Sequence, residues 1–328
     1  MTADLKKEIR FLSLPGKMAV TIGLCLILGI LIVREFRSLQ PLLTRNFVVQ
    51  HILMEREKVK SKARAVTLNH MMPSFGPLAD ALGGGGQVSE AQYSLYAQYY
   101  AKVIEYMPDR ADAYGLLGYC YYHLGQANES RDAFQKAALL SPRFFWFPYD
   151  AGIMYFRSGE YRKAAEHLQR ALAARPEQVA AFFRTSKLYQ DILRSAQGNP
   201  LVTPERLREG YRDCYRMLAM SYQKLNMYPQ MLATSLNALK AGVGGEDAFY
   251  YYGGLASFQM KDYAQAIALL KESVQHSSDN PEAYRYLGLS LRAAGNEQTA
   301  TQALQTAERL SRQTPASPDE RTAEPRIF

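Results

Sequence analysis

The sequence predicts an all-α protein in which a solenoid of helical hairpins follows an N-terminal transmembrane helix. Three observations support this prediction. Similar residues recur every 34 positions over residues 90–314, residues 18–33 form a run of uncharged, mostly apolar residues, and the alternation of Val, Ile and Thr that is typical of strands is scarce. A period of this length is typical of stacked two-helix repeats.

The chain begins with a short basic tail, residues 1–17, followed by the apolar run at 18–33. At ~1.5 Å per residue a helix over this run covers about 24 Å, and flanking Lys and Arg stems can reach the interface of a ~30 Å bilayer core. A cleavable signal peptide is disfavoured because no small-x-small pattern follows the run. A buried core helix is disfavoured because only a large domain would cover its apolar circumference. We therefore expect an uncleaved single-pass anchor.

Most of the positive charge lies near this run. The chain has a net charge of +8, and residues 1–65 hold twelve Lys or Arg against five Asp or Glu. The nearly neutral remainder argues against nucleic acid as a partner. A short basic tail is costly to translocate, so we expect a cytoplasmic N-terminus and an extracytoplasmic body, as in a bacterial inner-membrane protein. The basic run at 56–64 favours the opposite orientation, because such runs bind anionic lipid on the cytoplasmic face.

Residues 34–89 are predicted to form a basic juxtamembrane helix and a Gly-rich linker. Within residues 42–68, an apolar stripe is formed by Val48, Ile52, Val59 and Val66. The stripe indicates self-association or, alternatively, a solvated linker helix. The GGGG run at 83–86 predicts a flexible loop, since neither a strand nor the GKS or GKT of a phosphate-binding loop accompanies it. Residues 315–328, rich in Pro, Thr, Ser and charge, are predicted to be disordered.

Prolines and glycines mark the 34-residue period. Helices are predicted to end at Pro108, Pro142 and Pro176. Small residues recur where two antiparallel helices must cross closely, at Gly118, Gly152, Gly254 and Gly288. Glycines that end the first helix of a pair recur at Gly125, Gly159 and Gly295.

With Tyr, Leu and Phe between these positions, the sequence resembles the tetratricopeptide repeat, and the resemblance covers most of residues 90–314. It implies a superhelix of antiparallel helix pairs whose first helices line a concave face. Residues 178–211 depart from the pattern, because 178–195 look like a first helix without its partner and the breaker SAQGNPLVTP follows. Residues 212–246 fit only in part, with Met231 and Ser235 in place of the usual small and large residues.

Enzyme activity is not expected. The five histidines lack metal-ligand spacing, and no nucleophile elbow, phosphate-binding loop or dinucleotide fingerprint is present, so we predict neither a metal nor a cofactor. Cys120 and His123 are the one candidate for a reactive thiol with its base. Because Cys120 lies among packing tyrosines, a buried structural thiol is the favoured interpretation.

The resemblance also implies which positions contact a bound peptide. On this chain they are Tyr119, Tyr122, His123, Trp146, Tyr149, Asp150, Phe156, Arg157, Tyr251, Tyr252, Phe258, Arg285, Tyr286 and Arg292. Such an aromatic surface with a few charges suits an extended or helical segment with apolar anchors. The alternative is that these aromatic residues pack against neighbouring helices. The basic clamp of chaperone-binding members is disfavoured, because its Lys and Asn positions hold Gly115 and Tyr119, then Tyr149 and Ile153.

Together these features predict a membrane-tethered scaffold that binds partner proteins or peptide segments in its groove and gathers them into a membrane or envelope complex. Tethering raises the local concentration of partners, so weak groove contacts suffice. Two alternatives stay open. One is a cytoplasm-facing adaptor for membrane-protein assembly or turnover, and the other is a structural subunit of a large membrane machine whose helical surfaces are permanently buried.

Overall fold

The computed structural model describes residues 21, 23–25, 27–35, 47–82, 88–195 and 203–313, and all regular structure within them is α-helical. The chain divides into two units, Met1–His70 and Met71–Phe328. In the first unit, residues 27–35 are helical and α1 spans Phe47–Met71. The predicted basic tail and the predicted disordered tail at 315–328 lie outside the described residues, as does the GGGG run.

The predicted membrane span falls partly on residues that are not described, namely 18–20, 22 and 26. Among the helical residues that are described, none belongs to a helix with the length and apolar character needed to cross a bilayer.

Helix α1 agrees with the helix predicted within residues 42–68. Its polar surface carries ion pairs one turn apart, Lys58 with Glu55 at 2.6 Å and Lys60 with Glu57 at 3.0 Å. Such exposed pairs contribute little to stability, because solvent and salt screen them. The apolar stripe is also exposed, at Ile52, Val59 and Val66. Self-association through the stripe stays a prediction.

The second unit begins well before the repeat predicted from residue 90. Helix α2 (Gly76–Leu82) precedes α3 (Glu90–Tyr106), and Phe75, Leu78 and Leu82 are buried. The Phe75 ring lies 5.8 Å from that of Tyr99, and the hydroxyl of Tyr96 donates a 2.7 Å hydrogen bond to the Ser74 carbonyl. Residues 74–82 therefore pack on the helical body, whereas the sequence-based division assigned them to a linker.

From Ala111 onward the described chain forms hairpins of antiparallel helices. The first two hairpins are α4 (Ala111–His123) with α5 (Ala127–Leu140) and α6 (Trp146–Arg157) with α7 (Tyr161–Leu172). Two short helices follow, α8 (Pro176–Thr185) and α9 (Lys187–Ser195). The third, fourth and fifth hairpins are α10 (Pro204–Lys224) with α11 (Tyr228–Ala241), α12 (Glu246–Gln259) with α13 (Tyr263–His276), and α14 (Pro281–Ala293) with α15 (Glu297–Gln313). First helices contact one another along the row, α6 with α10, α10 with α12, and α12 with α14.

The crossing points of the hairpins are the glycines that the period predicted. A Cβ atom placed on Gly152, Gly254 or Gly288 would lie 2.7, 2.5 or 2.6 Å from the Cγ atom of a leucine on the partner helix. These leucines are Leu168, Leu270 and Leu304. Any side chain at these glycines would push the two helices apart, so the close crossing requires glycine.

The turn after each first helix requires a left-handed backbone. Gly125, Gly159 and Gly295 have φ of 71°, 78° and 82°, and the equivalent turns of the third and fourth hairpins hold Asn226 and Lys261 at 55° and 66°. Asn tolerates this conformation through local hydrogen bonding, but a lysine there is strained by its Cβ.

We predict that Lys261→Gly raises the free energy of unfolding by about 1 kcal/mol, because it removes this strain. Lys271→Gly, in the middle of α13, is the matched control and is expected to lower it by about 1 kcal/mol. Urea titrations of the two variants measure both changes. Equal destabilisation by both variants would contradict the conclusion that the left-handed backbone strains Lys261.

The segment before α10 differs from the prediction of one lone first helix over 178–195. It forms two short helices, because Ser186 is extended, with φ of −75° and ψ of 111°, and separates α8 from α9. Helix α9 contacts α2 and α4, while α10 packs against α7 and continues the row of hairpins. Residues 176–195, hereafter the insert, therefore leave the row and fold back over first helices that precede them in the chain.

Candidate protein-binding surface

The insert is attached to the N-terminal hairpins by an aromatic cluster around Phe144. The Phe144 ring lies 4.0 Å from that of Phe182 in a stacked arrangement and 5.2 Å from that of Phe183. Phe147, at the start of α6, also meets Phe182 edge to face at 5.3 Å. From α9, Tyr189 is 1% exposed. The insert thus packs against the start of α4 and the start of α6.

A polar anchor accompanies this cluster. The carboxylate of Asp112, 4% exposed, accepts hydrogen bonds from the Arg110 guanidinium at 2.5 and 2.8 Å and from the Ser186 hydroxyl at 2.7 Å. The Ser186 oxygen in turn accepts a bond from the Tyr189 amide at 3.2 Å and so caps α9. A buried carboxylate is stable only when it is paired and hydrogen-bonded, as Asp112 is.

Five of the predicted contact residues are buried and do not form an open surface. They are Tyr119, Trp146, Tyr149, Asp150 and Tyr252. Trp146 is covered by α10, where a Cβ on Gly210 would lie 2.6 Å from its ring. Burial raises the pKa of Tyr149, so its phenol stays protonated in the packed interior. These five residues thus pack inside the helical body, which agrees with the alternative interpretation that the predicted residues pack against neighbouring helices.

Three predicted residues meet at a cleft where the first two hairpins end. Tyr122 and His123, at the end of α4, and Arg157, at the end of α6, line a cleft of about 480 Å³. Nη1 of Arg157 donates a 2.8 Å hydrogen bond to the Tyr122 hydroxyl. Phe156 is half-buried, with its ring 5.2 Å from that of Tyr161.

The remaining predicted residues form an aromatic surface on the last two first helices, hereafter the C-terminal surface, composed of Tyr251, Phe258, Arg285 and Tyr286. All four are half-buried. The Phe258 ring lies 5.4 Å from that of Tyr286, and the Arg285 guanidinium stacks 4.2 Å from the same ring. Arg285 is also held by Glu282 at 2.6 Å. Arg292 is exposed, 3.6 Å from Glu297.

Sequence reasoning missed Asp112 and Ser186, which hold the insert, and also Asn128 and Arg131, which line the cleft. Asp112 belongs to the first helix of a repeat, but a lone acidic residue there carries no signal for a partner 74 residues away. Arg131 and Asn128 lie on α5, the second helix of its hairpin, and the resemblance assigns peptide contacts only to first helices.

Cys120 and His123 do not form a reactive pair. Cys120 is fully buried, and burial raises the pKa of its thiol above the ordinary value, so the thiolate is scarce at neutral pH. His123 stacks on Tyr93, with ring centroids 4.5 Å apart and an interplanar angle of 2°. Its partial burial lowers the pKa of the imidazole. Within the described residues, no group of three His, Cys, Asp or Glu side chains is arranged to hold a metal.

We predict that both thiols of the helical body are unreactive in the folded protein. Cys120 and Cys214 are both buried, and burial raises the pKa of each thiol. In a Cys25→Ser variant at pH ~8, a chromogenic disulfide reagent should therefore modify no thiol rapidly in the folded protein. The same reagent should modify both thiols after unfolding in urea. Rapid modification of one thiol before unfolding would contradict this, and Cys214→Ser would then identify which one reacts.

Three segments of the chain match family models of the tetratricopeptide repeat, residues 111–144, 149–190 and 257–317. No curated protein matches the chain. Among solved structures, YrrB, described as a TPR protein with an unusual peptide-binding site, is 16% identical with a TM-score of 0.47, over 69% of this chain and 95% of that one. MamA from Desulfovibrio magneticus RS-1 is 15% identical with a TM-score of 0.46, over 63% of this chain and 98% of that one.

The first matched segment, residues 111–144, lies within the residues over which the 34-residue period was found, 90–314. The all-α solenoid of helical hairpins predicted from the 34-residue period is confirmed in the described residues. These three segments therefore match the tetratricopeptide repeat, and the described helices form the kind of hairpin solenoid that the repeat implies.

Proposed function

We propose that this protein is a membrane-tethered scaffold whose tetratricopeptide repeats bind partner proteins during assembly of a membrane or envelope complex. The observation that carries the proposal is the C-terminal surface. There Tyr251, Phe258 and Tyr286 are packed against one another and still partly exposed. In the N-terminal hairpins, by contrast, the predicted residues Tyr119, Tyr149 and Asp150 are buried.

The C-terminal surface suits an extended or helical segment with apolar anchors. Aromatic side chains give large contact area at low entropic cost, and their rings are already ordered by mutual contacts. The ion pair of Arg285 with Glu282 fixes the guanidinium over the Tyr286 ring. A partner that covers these rings therefore loses little side-chain entropy on binding.

Tethering is proposed from the apolar run at 18–33 and the basic residues around it. Among the described residues of this run, large apolar side chains are exposed, including Leu24, Ile27, Leu28 and Ile30. A bilayer would cover such side chains, and the flanking basic residues would attract anionic lipid. We place the N-terminus in the cytoplasm and the repeats outside it, at a bacterial inner membrane.

Photocrosslinking tests the binding surface. A photoreactive phenylalanine analogue at Tyr251 or Tyr286 should capture the same partner in cells, because these side chains flank one surface. The matched control is the same analogue at Lys271, exposed on the second helix α13. Capture from Lys271 alone, or equal capture from all three positions, would refute binding at the C-terminal surface.

A topology reporter tests the tether. A reporter fused to the C-terminus that is active only outside the cytoplasm should be active in the full chain and inactive after deletion of residues 1–35. Activity of a cytoplasmic reporter at the same site would refute the proposed orientation. Recovery of the full chain in the supernatant of sedimented membranes would refute the tether itself.

A further inference from the structure

Helix α1 has an exposed apolar stripe that the proposed scaffold function does not use. Ile52, Val59 and Val66 lie at intervals of seven residues along the helix and are 60%, 66% and 55% exposed. Seven residues make almost two turns of an α-helix, so the three side chains share one face. Ala63 lies on the same face and is also exposed. Apolar side chains grouped on one exposed face mark an interaction surface.

The seven-residue interval indicates the kind of partner that covers this face. Apolar residues repeated every seven positions are the pattern of a coiled coil, written abcdefg, in which a and d form the seam between the helices. With Ile52, Val59 and Val66 at d, the a positions hold Arg56 and Ala63. A second copy of α1 has the same intervals, so it matches the stripe along its whole length.

The charges beside the stripe match a second copy that runs parallel. Glu55 occupies a g position, and Lys60 occupies the e position of the next heptad. In a parallel pair these positions lie opposite each other, so each Glu55 carboxylate faces the Lys60 ammonium of the second copy. Within one helix Glu55 is bound by Lys58 and Lys60 by Glu57, but these ion pairs are exposed to solvent and weak. They therefore do little to oppose pairing between two copies.

We propose that two copies of this protein associate through α1 as a parallel two-stranded coiled coil, with Ile52, Val59 and Val66 in the seam. The inference rests on the tether of the proposed function, because two anchors that precede α1 in the same membrane make the helices run parallel. A seam of about three heptads that includes Arg56 is weak on its own. Confinement to one membrane raises the effective concentration of the two helices, and the pair in turn presents two sets of repeats to a partner.

Disulfide crosslinking of the full chain in isolated membranes tests the pairing. The background is a Cys25→Ser variant, in which the two remaining cysteines are buried. With a mild oxidant, Ile52→Cys and Val59→Cys should each form a disulfide-linked dimer about tenfold faster than the control, because seam positions bring the two sulfur atoms within bonding reach. The matched control is Ser61→Cys, exposed on the opposite face of α1.

The Ile52→Cys variant decides the orientation. In a parallel pair its sulfur faces position 52 of the second copy, whereas in an antiparallel pair centred on Val59 it faces position 66. Linkage from Val59→Cys without linkage from Ile52→Cys therefore overturns the proposal. Val59→Lys places a charge in the seam and should slow linkage from Ile52→Cys about tenfold, whereas Ser61→Lys should leave it unchanged.

Equal rates at the seam and control positions overturn the pairing, and linkage that survives Val59→Lys overturns it as well. Sedimentation with membranes and partner capture from Tyr251 are measured in parallel. A chain that keeps both properties without crosslinking refutes the dimer and leaves the scaffold proposal standing. A chain that is absent from the membranes refutes the tether, and with it the membrane-confined pair.

Discussion

Asp112→Ala is expected to lower the free energy of unfolding by about 3 kcal/mol. Its carboxylate accepts bonds from the Arg110 guanidinium, the Ser186 hydroxyl and the Ala113 amide, which is 2.9 Å away. The alanine variant leaves a partly buried guanidinium and the Ser186 hydroxyl without their acceptor. It also releases the junction between α8 and α9, so the insert should become sensitive to protease.

Urea unfolding followed by tryptophan fluorescence measures this effect, because the single tryptophan, Trp146, is buried where α6 meets α10. Asp109→Ala removes an exposed carboxylate three residues away and is the matched control, with an expected change within roughly 0.5 kcal/mol. Ser186→Ala should cost about 1 kcal/mol, since it removes one neutral donor. If Asp112→Ala is no worse than Asp109→Ala, the anchor does not hold the insert.

Phe144→Ala is expected to cost roughly 3–5 kcal/mol, the usual range for a fully packed aromatic ring. The ring is 2% exposed and contacts Phe147, Phe182 and Tyr189. Its removal leaves a cavity between α6 and the insert that helices held by other contacts cannot close. The same urea titration measures the loss.

Phe258→Ala is the matched control for this change, because Phe258 is a half-buried ring of the C-terminal surface. It should cost about 1 kcal/mol in stability, since less apolar area is lost from the interior. It should nevertheless reduce partner capture from Tyr251, which Phe144→Ala should leave unchanged in the folded protein. Similar stability losses in the two variants would contradict the distinction between a packed cluster and an accessible surface.

The fold was largely predictable from the sequence because its main constraints are local. Gly118 and Gly152 are required at helix crossings, and Gly125 and Gly159 at left-handed turns. These requirements recur with the repeat, so the same residue types return every 34 positions. Even the irregular third hairpin follows the register, and Met231 and Ser235 are buried in it although they depart from the usual residue types.

The candidate site was less predictable because it depends on contacts between distant segments. Tyr119 and Trp146 occupy positions that contact ligands in other repeats of this type, but both are buried here, Tyr119 beside Tyr93 of α3 and Trp146 under α10. The residues 178–195 indicated a helix without showing what it packs on. Phe182 and Phe183 were visible as an aromatic pair, yet hydrophobicity alone does not identify a partner across the superhelix.

The insert also bears on how the protein folds and unfolds. In a regular array of repeats each unit contacts only its neighbours, so hairpins can melt one after another from the ends. The bond between Asp112 and Ser186 joins positions 74 residues apart and closes a large loop around α4–α7. Such non-local closure slows folding and makes the enclosed helices open together. Hydrogen exchange should accordingly show one cooperative block for α4–α9 and graded fraying toward α15.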